Sequence, residues 1–185
     1  MTREVLTREF SICLLPTDDV ITDIEALRVR LPDSPYRDDV PHITLLRGIS
    51  SGADMSDEAL ADDIGMTLSL SSRLPLSGTV KLIDNKSNQF YTDTGVVILE
   101  SSKELLDFRK DAVNRLLERD YTVEAQELST YTPHVTVRLG VPLQGRFMDE
   151  TKLRFDDRII RFNSWLLFRL VLQDDKRLMH VVRPS

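Results

Sequence analysis

"DDVPHITLLRG" (residues 38–48) has a near-copy of itself in "STYTPHVTVRLG" (residues 129–140). Both carry proline, histidine, an aliphatic residue and threonine in that order, so His42 and His134 stand in one repeated frame. The β-branched, alternating character of "HITLL" and "HVTVRLG" predicts short strands. On a strand, residues two apart share a face. His42 therefore projects with Thr44 and His134 with Thr136, and Arg138 continues the second series.

Working outward, each frame sits in a similar run of elements. "EFSICLLP" reads as a strand closed by Pro16, and Asp18 or Asp19 can cap a helix through "VITDIEALRVRL". "SDEALADDIGMTLSLS" reads as one helix with an acidic first turn, weakened by Gly65. "LSGTVKLIDN" and "QFYTDTGVVILES" are strands joined by a polar turn at Lys86–Asn88. In the second half, "SKELLDFRKDAVNRLLERD" is the strongest helix, with Leu105, Phe108, Ala112 and Leu116 on one face. "GRFMDETKLRF" admits a short helix, and "IIRFNSWLLFRLVLQ" and "RLMHVVR" are strands joined at Asp174–Asp175. No linker of Pro, Gly and Ser divides the chain, so residues 1–185 are expected to form one bilobal domain.

Charge narrows the partners. A net charge of −6 argues against wrapping long nucleic acid, but a small anionic ligand needs only a few local donors. The paired aspartates (Asp18–Asp19, Asp38–Asp39, Asp62–Asp63, Asp156–Asp157, Asp174–Asp175) are dispersed. They suit helix N-termini rather than a metal site. The single cysteine, Cys13, lies in an apolar run and reads as a small buried hydrophobe. The N-terminus is charged where a signal peptide needs an apolar core, and "WLLF" is cut short by Arg169. A cytosolic protein, not associated with membranes, is expected.

Two imidazoles, two hydroxyls and a guanidinium lining one cleft are suited to in-line displacement at a phosphodiester. One imidazole takes a proton from attacking water and the other gives one to the leaving oxygen, while hydroxyls hold the nonbridging oxygens. An unperturbed pKa near 6.5 lets histidine take either role. His180, in "LMHVV", lacks the frame and reads as a bystander. There is no Gly-x-Ser-x-Gly elbow, phosphate-binding Gly-rich loop or zinc spacing.

With both "PHITLL" and "TPHVTVRL", and with "FSICLLP" and "FNSWLLFRLVLQ" as its flanking strands, the chain resembles the 2H phosphoesterases. That family includes 2′-5′ RNA ligase-like proteins and cyclic nucleotide phosphodiesterases. The resemblance implies a bilobal α+β fold of two antiparallel sheets related by a pseudo-twofold axis around a cleft, with helices outside. It implies metal-independent chemistry, without a cofactor, at 2′,3′-cyclic or 2′-5′ phosphodiesters. RNA ends or small cyclic nucleotides are the expected partners, and a monomer the expected state. His42 and His134 take the catalytic positions, and Thr44 and Thr136 hold the phosphate.

The chain departs from the family at Arg47, where an aromatic is common, and at Leu139, where an arginine is common. Arg138, one position earlier, is in phase to reach the phosphate. Arg47 is out of phase and needs a bulge or strand end. Tyr131 is a candidate for stacking on a base. Three functions stay open at this point. They are a cyclic phosphodiesterase or RNA end-processing enzyme, a hydrolase of a signalling oligonucleotide, and a module that binds nucleotides without turnover.

Overall fold

The computed structural model describes residues 5–33, 40–52, 55–87, 93–124, 130–173 and 176–182. The expected turns at Lys86–Asn88 and Asp174–Asp175, the pair Asp38–Asp39 and the start of "QFYTD" fall wholly or partly outside them. Elements follow in the order β1 (Val5–Pro16), α1 (Asp18–Arg28), β2 (Ile43–Ser51), α2 (Asp57–Leu68), α3 (Leu70–Arg73), β3 (Leu76–Lys86) and β4 (Thr94–Leu99). Then come α4 (Lys103–Leu117), β5 (Tyr121–Thr122), β6 (His134–Arg138), α5 (Arg146–Phe155), β7 (Ile159–Gln173) and β8 (Lys176–Val182). The sequence did not signal β5, which is two residues long. The helix expected over 56–71 is broken at Ser69, whose φ of 50° lies in the left-handed region. Thr17, not an aspartate, occupies the N-cap of α1, and Asp18 and Asp19 fill its first turn.

All described strand pairings are antiparallel, and the class is α+β. The pairing order is β5-β2-β1-β7-β3-β4-β6, with β8 also on β7. The two sheets of the expectation are thus joined in one hydrogen-bonded path. The long strand β7 joins them: Ile159–Phe162 pair with β3, and Phe162 onward with β1.

Alternation along the strands separates two faces. Ile12, Leu14, Ile43, Ile83, Val97, Val135 and Leu167 join the helices in the main apolar core. Cys13, Val96, Ile98 and Phe168 are also buried but stand apart from that core, on the opposite face. Gly65 in α2 faces Trp165 of β7 closely. A Cβ there would lie 2.8 Å from Cζ2 of Trp165 in β7, which explains a glycine within a helix.

The helices cross between halves. Helix α1, made by the first half, packs against β6 and α5, whereas α4, made by the second, packs against β2, β5 and α2. Each brings a buried arginine to the other half's histidine-bearing strand. Arg28 Nε donates to Val137 O at 2.5 Å and its Nη2 to Thr136 O at 3.1 Å. Arg109 Nε donates to Leu45 O at 3.1 Å, with its guanidinium 4.6 Å from the Tyr131 ring centre. These carbonyls are reachable because both strands bulge just after the motif threonine. Cys13 faces Thr44 while Ile12 faces Leu46, leaving Leu45 as the extra residue. Val96 faces Thr136 while Gly95 faces Arg138, leaving Val137 extra. A bulge leaves its extra residue's carbonyl outside the ladder, and here a buried guanidinium takes it.

Two stability predictions follow. Arg28→Met and Arg109→Met should each cost about 1–3 kcal/mol in urea unfolding, because buried carbonyls lose charged donors. Arg28→Lys should recover only part, since an ammonium cannot span two carbonyls as a planar fork does. Gly65→Val should also destabilise, by about 1–3 kcal/mol through overpacking on Trp165. Unchanged unfolding midpoints would contradict both.

Candidate functional site

The two histidines are held alike. His42 stands just before β2, and its Nδ1–H donates to Val40 O at 2.7 Å. His134 opens β6, and its Nδ1–H donates to Thr132 O at 2.9 Å. In each case the accepting carbonyl belongs to the residue before the motif proline. Proline confines that residue to extended conformations, so the frame itself sets the carbonyl where the imidazole can use it. A carbonyl can only accept, so Nδ1 carries the hydrogen, and the proton-exchanging atom is Nε2. Among the described residues neither Nε2 has a hydrogen-bond partner.

The charge of His134 is felt at His42. Burial pushes the His42 imidazole down to about 4, opposed by its bond to Val40 and reinforced by the charges of His134 and Arg28. Burial also lowers His134, opposed by its Thr132 bond and reinforced by Lys86. Each histidine thus rests neutral at pH 7, and charging one disfavours charging the other. The His42 ring is set against Phe168, with centroids 5.0 Å apart.

Thr44 and Thr136 occupy matching places. Thr44 pairs with Cys13, whose Sγ approaches Thr44 Oγ1 at 3.8 Å, and Thr136 pairs with Val96. Both are half-buried. Through Val96 and Ile98, the register puts Thr136 in line with Asp84 of β3, and His134 with Leu82.

The three substrate-binding candidates are placed differently from the expectation. The β6 bulge shifts Arg138 by one residue, so it no longer shares the phase of Thr136. Leu46, the matching residue in β2, is buried in the core. Arg138 Nη1 donates to Arg28 O at 2.9 Å, the favourable place for a cation at the end of α1. Arg47 gains, by count, the phase change it needed from the β2 bulge. Its guanidinium nevertheless pairs with Glu124, at 3.0 and 3.1 Å. Tyr131 is only 9% exposed and donates its hydroxyl to Thr44 O at 3.0 Å, while Arg109 covers its ring. It ties the second motif's loop to the first motif's strand, and burial pushes its phenol up. Cys13 is buried on β1 as expected, and His180 lies on β8 opposite Arg169.

Arg28, Arg109 and Lys86 were not singled out in the sequence, although one signal was present. Arg28 falls with Ile24, Leu27 and Leu31 at core spacing, and Arg109 falls beside Phe108 and three before Ala112. An arginine at a core-facing position is more informative than one on a charged face. Among the described residues, no group of three or more His, Cys, Asp or Glu is placed to hold a metal ion. No helix among them is long and apolar enough to cross a membrane.

Comparison with solved structures finds the same fold. E. coli LigT complexed with 3′-AMP is 10% identical, with a TM-score of 0.53 over 95% of each chain. E. coli LigT complexed with NADP+ is 12% identical, with a TM-score of 0.52 over 95% of each chain. TT0787 of Thermus thermophilus is 16% identical, with a TM-score of 0.53 over 95% of each chain. No curated protein matches the chain. The family model of the 2′-5′ RNA ligase superfamily matches residues 16–157, which include both histidine frames and both bulged strands. Spanning well over half of the sequence, that match establishes that the chain belongs to the 2′-5′ RNA ligase superfamily of phosphoesterases.

Proposed function

We propose that this protein is a metal-independent phosphodiesterase acting on 2′,3′-cyclic phosphates or 2′-5′ linkages of RNA ends or small nucleotides. The observation that carries the reading is the duplicated Nδ1–H···O=C bond, which gives both motif histidines the same tautomer and, among the described residues, leaves both Nε2 atoms unclaimed. Membership of the superfamily supports it, as does a LigT structure that holds 3′-AMP. In this reading, residues 1–185 act as one bilobal unit.

In this reading His42 serves as the base and His134 as the acid, an assignment that the substitutions below test. The Nε2 of His42 takes a proton from water as the water oxygen bonds to phosphorus. His134 then donates its Nε2 proton to the ribose oxygen as the P–O bond breaks. Thr44 and Thr136 donate their hydroxyls to the nonbridging oxygens, whose charge grows in the transition state. The anionic diester favours the protonated form of His134, offsetting part of what burial takes away.

The first test is pH. In the free protein both imidazoles are lowered from 6.5, one to about 4. The base fails as pH drops through its own pKa, and the acid fails as pH rises through its own. The profile of kcat/KM should therefore be a bell with its maximum on the acid side of 6.5. The kcat profile should sit further alkaline because bound substrate raises both groups. A kcat/KM maximum above pH 8 would contradict the assignment.

Substitutions test the roles. His42→Ala and His134→Ala should each lower kcat by about 10²–10⁴-fold on a cyclic phosphate, and Thr44→Val or Thr136→Val by less. On a p-nitrophenyl phosphodiester, whose leaving group needs no proton, His134→Ala should recover much of its rate and His42→Ala little. The reverse pattern would exchange the two roles. Turnover should persist in EDTA, and loss there that a divalent cation restores would refute metal independence. Nucleotide binding without turnover on any cyclic or 2′-5′ substrate would identify a binding module instead.

A further inference from the structure

Lys86 ends β3 on the face that carries the second motif. A bulge at Lys81 turns the strand over: Val80 faces Leu99, and Leu82 faces Ile98. Leu82, Asp84 and Lys86 are thereby in phase with Ile98, Val96 and Thr94, and those in turn with His134 and Thr136. Lys86 is half-buried beside Thr94, whose Oγ1 accepts a hydrogen bond from Gly140 N at 3.1 Å.

The ammonium has no hydrogen-bonded or ion-paired partner among the described residues. The carboxylate that influences it is Asp84, and that group accepts the Asn85 N–H at 2.8 Å instead. A half-buried cation that no described residue pairs is costly unless an anion meets it. Its charge reaches His134, so the two share one field.

We infer that Lys86 binds a second phosphate of the substrate, next to the one held by the threonines. This inference rests on the phosphodiesterase reading of the cleft. The position sets the order. Lys86 lies two strand spacings from Thr136, about 10 Å across the sheet, and two residues, about 7 Å, along it. The four-carbon arm shortens that span without closing it, so the ammonium stops about one nucleotide from the scissile phosphate. The preferred substrate is then an RNA end or short oligonucleotide, or a nucleotide with a further phosphate, rather than a cyclic mononucleotide. A chain of net charge −6 selects such a polyanion through one local cation rather than a basic surface.

The test compares adenosine 3′-monophosphate with adenosine 3′,5′-bisphosphate by calorimetry on the full chain, with unfolding midpoints as the control for folding. Wild type should bind the bisphosphate about tenfold or more tightly, as one charge-assisted contact allows. Lys86→Met should lose that preference while keeping its affinity for the monophosphate, and Lys86→Arg should retain it. In turnover, Lys86→Met should raise KM more for a dinucleotide with a 2′,3′-cyclic end than for a cyclic mononucleotide, while any change in kcat through His134 should be the same for both. Three results would overturn the inference. They are no preference in wild type, a preference that survives in Lys86→Met, or equal losses on both ligands, which would place the lysine on the scissile phosphate itself. A Lys86-dependent preference in a protein that turns over nothing would instead remove the enzymatic reading and uphold the lysine's role.

Discussion

Two buried arginines, each donated by one half of the chain to the other, hold the site together. Arg28 reaches from α1 to Thr136 O and Val137 O, and Arg109 from α4 to Leu45 O. Both arrive at bulged strands whose backbone carbonyls would otherwise be left without partners. Such groups cannot stay dry and unpaired, so the bulges and the arginines depend on one another. The arginines also fix a spacing. A two-histidine mechanism requires the imidazoles on opposite sides of one phosphoryl group, yet each comes from a different half. Buried charged contacts across that seam resist the halves sliding, in a way that apolar packing alone does not.

Local geometry then prepares each imidazole. The residue before proline offers its carbonyl to Nδ1, so tautomer and ring orientation are set by the same four-residue frame that supplies the threonine. Burial keeps the pair neutral at rest, and mutual repulsion keeps both from being charged together. Such a site is poised for an anion. In the proposed reaction, a phosphodiester between the rings would bring the negative charge that lets one of them hold its proton. Superfamily membership and this geometry both support the proposed phosphodiesterase reading.

Arginine roles show how far tertiary context overrides strand phase. Arg138 stands two residues after Thr136 and on an unbroken strand would point with it. One extra residue in the β6 ladder turns it to the end of α1 instead. Arg47 obtains a bulge, but Glu124, distant in sequence, takes its guanidinium. Tyr131, which looked free to stack, is buried as a bridge between the halves. Lys86 gains its place facing the second motif through a bulge in β3.

Most elements were legible from the chain because their causes are local. Periodicity located α1, α4 and every strand but β5, and the repeated frame pointed to His42, Thr44, His134 and Thr136 as one set. Composition could place Cys13 inside because an apolar run allows it little else. What the tertiary structure alone decided was everything dependent on register between distant segments. That includes the bulges, the joining of the sheets through β7, the exchange of helices between halves, and the partners of each arginine. A one-residue change in register reverses which face a side chain joins, and no local pattern encodes it.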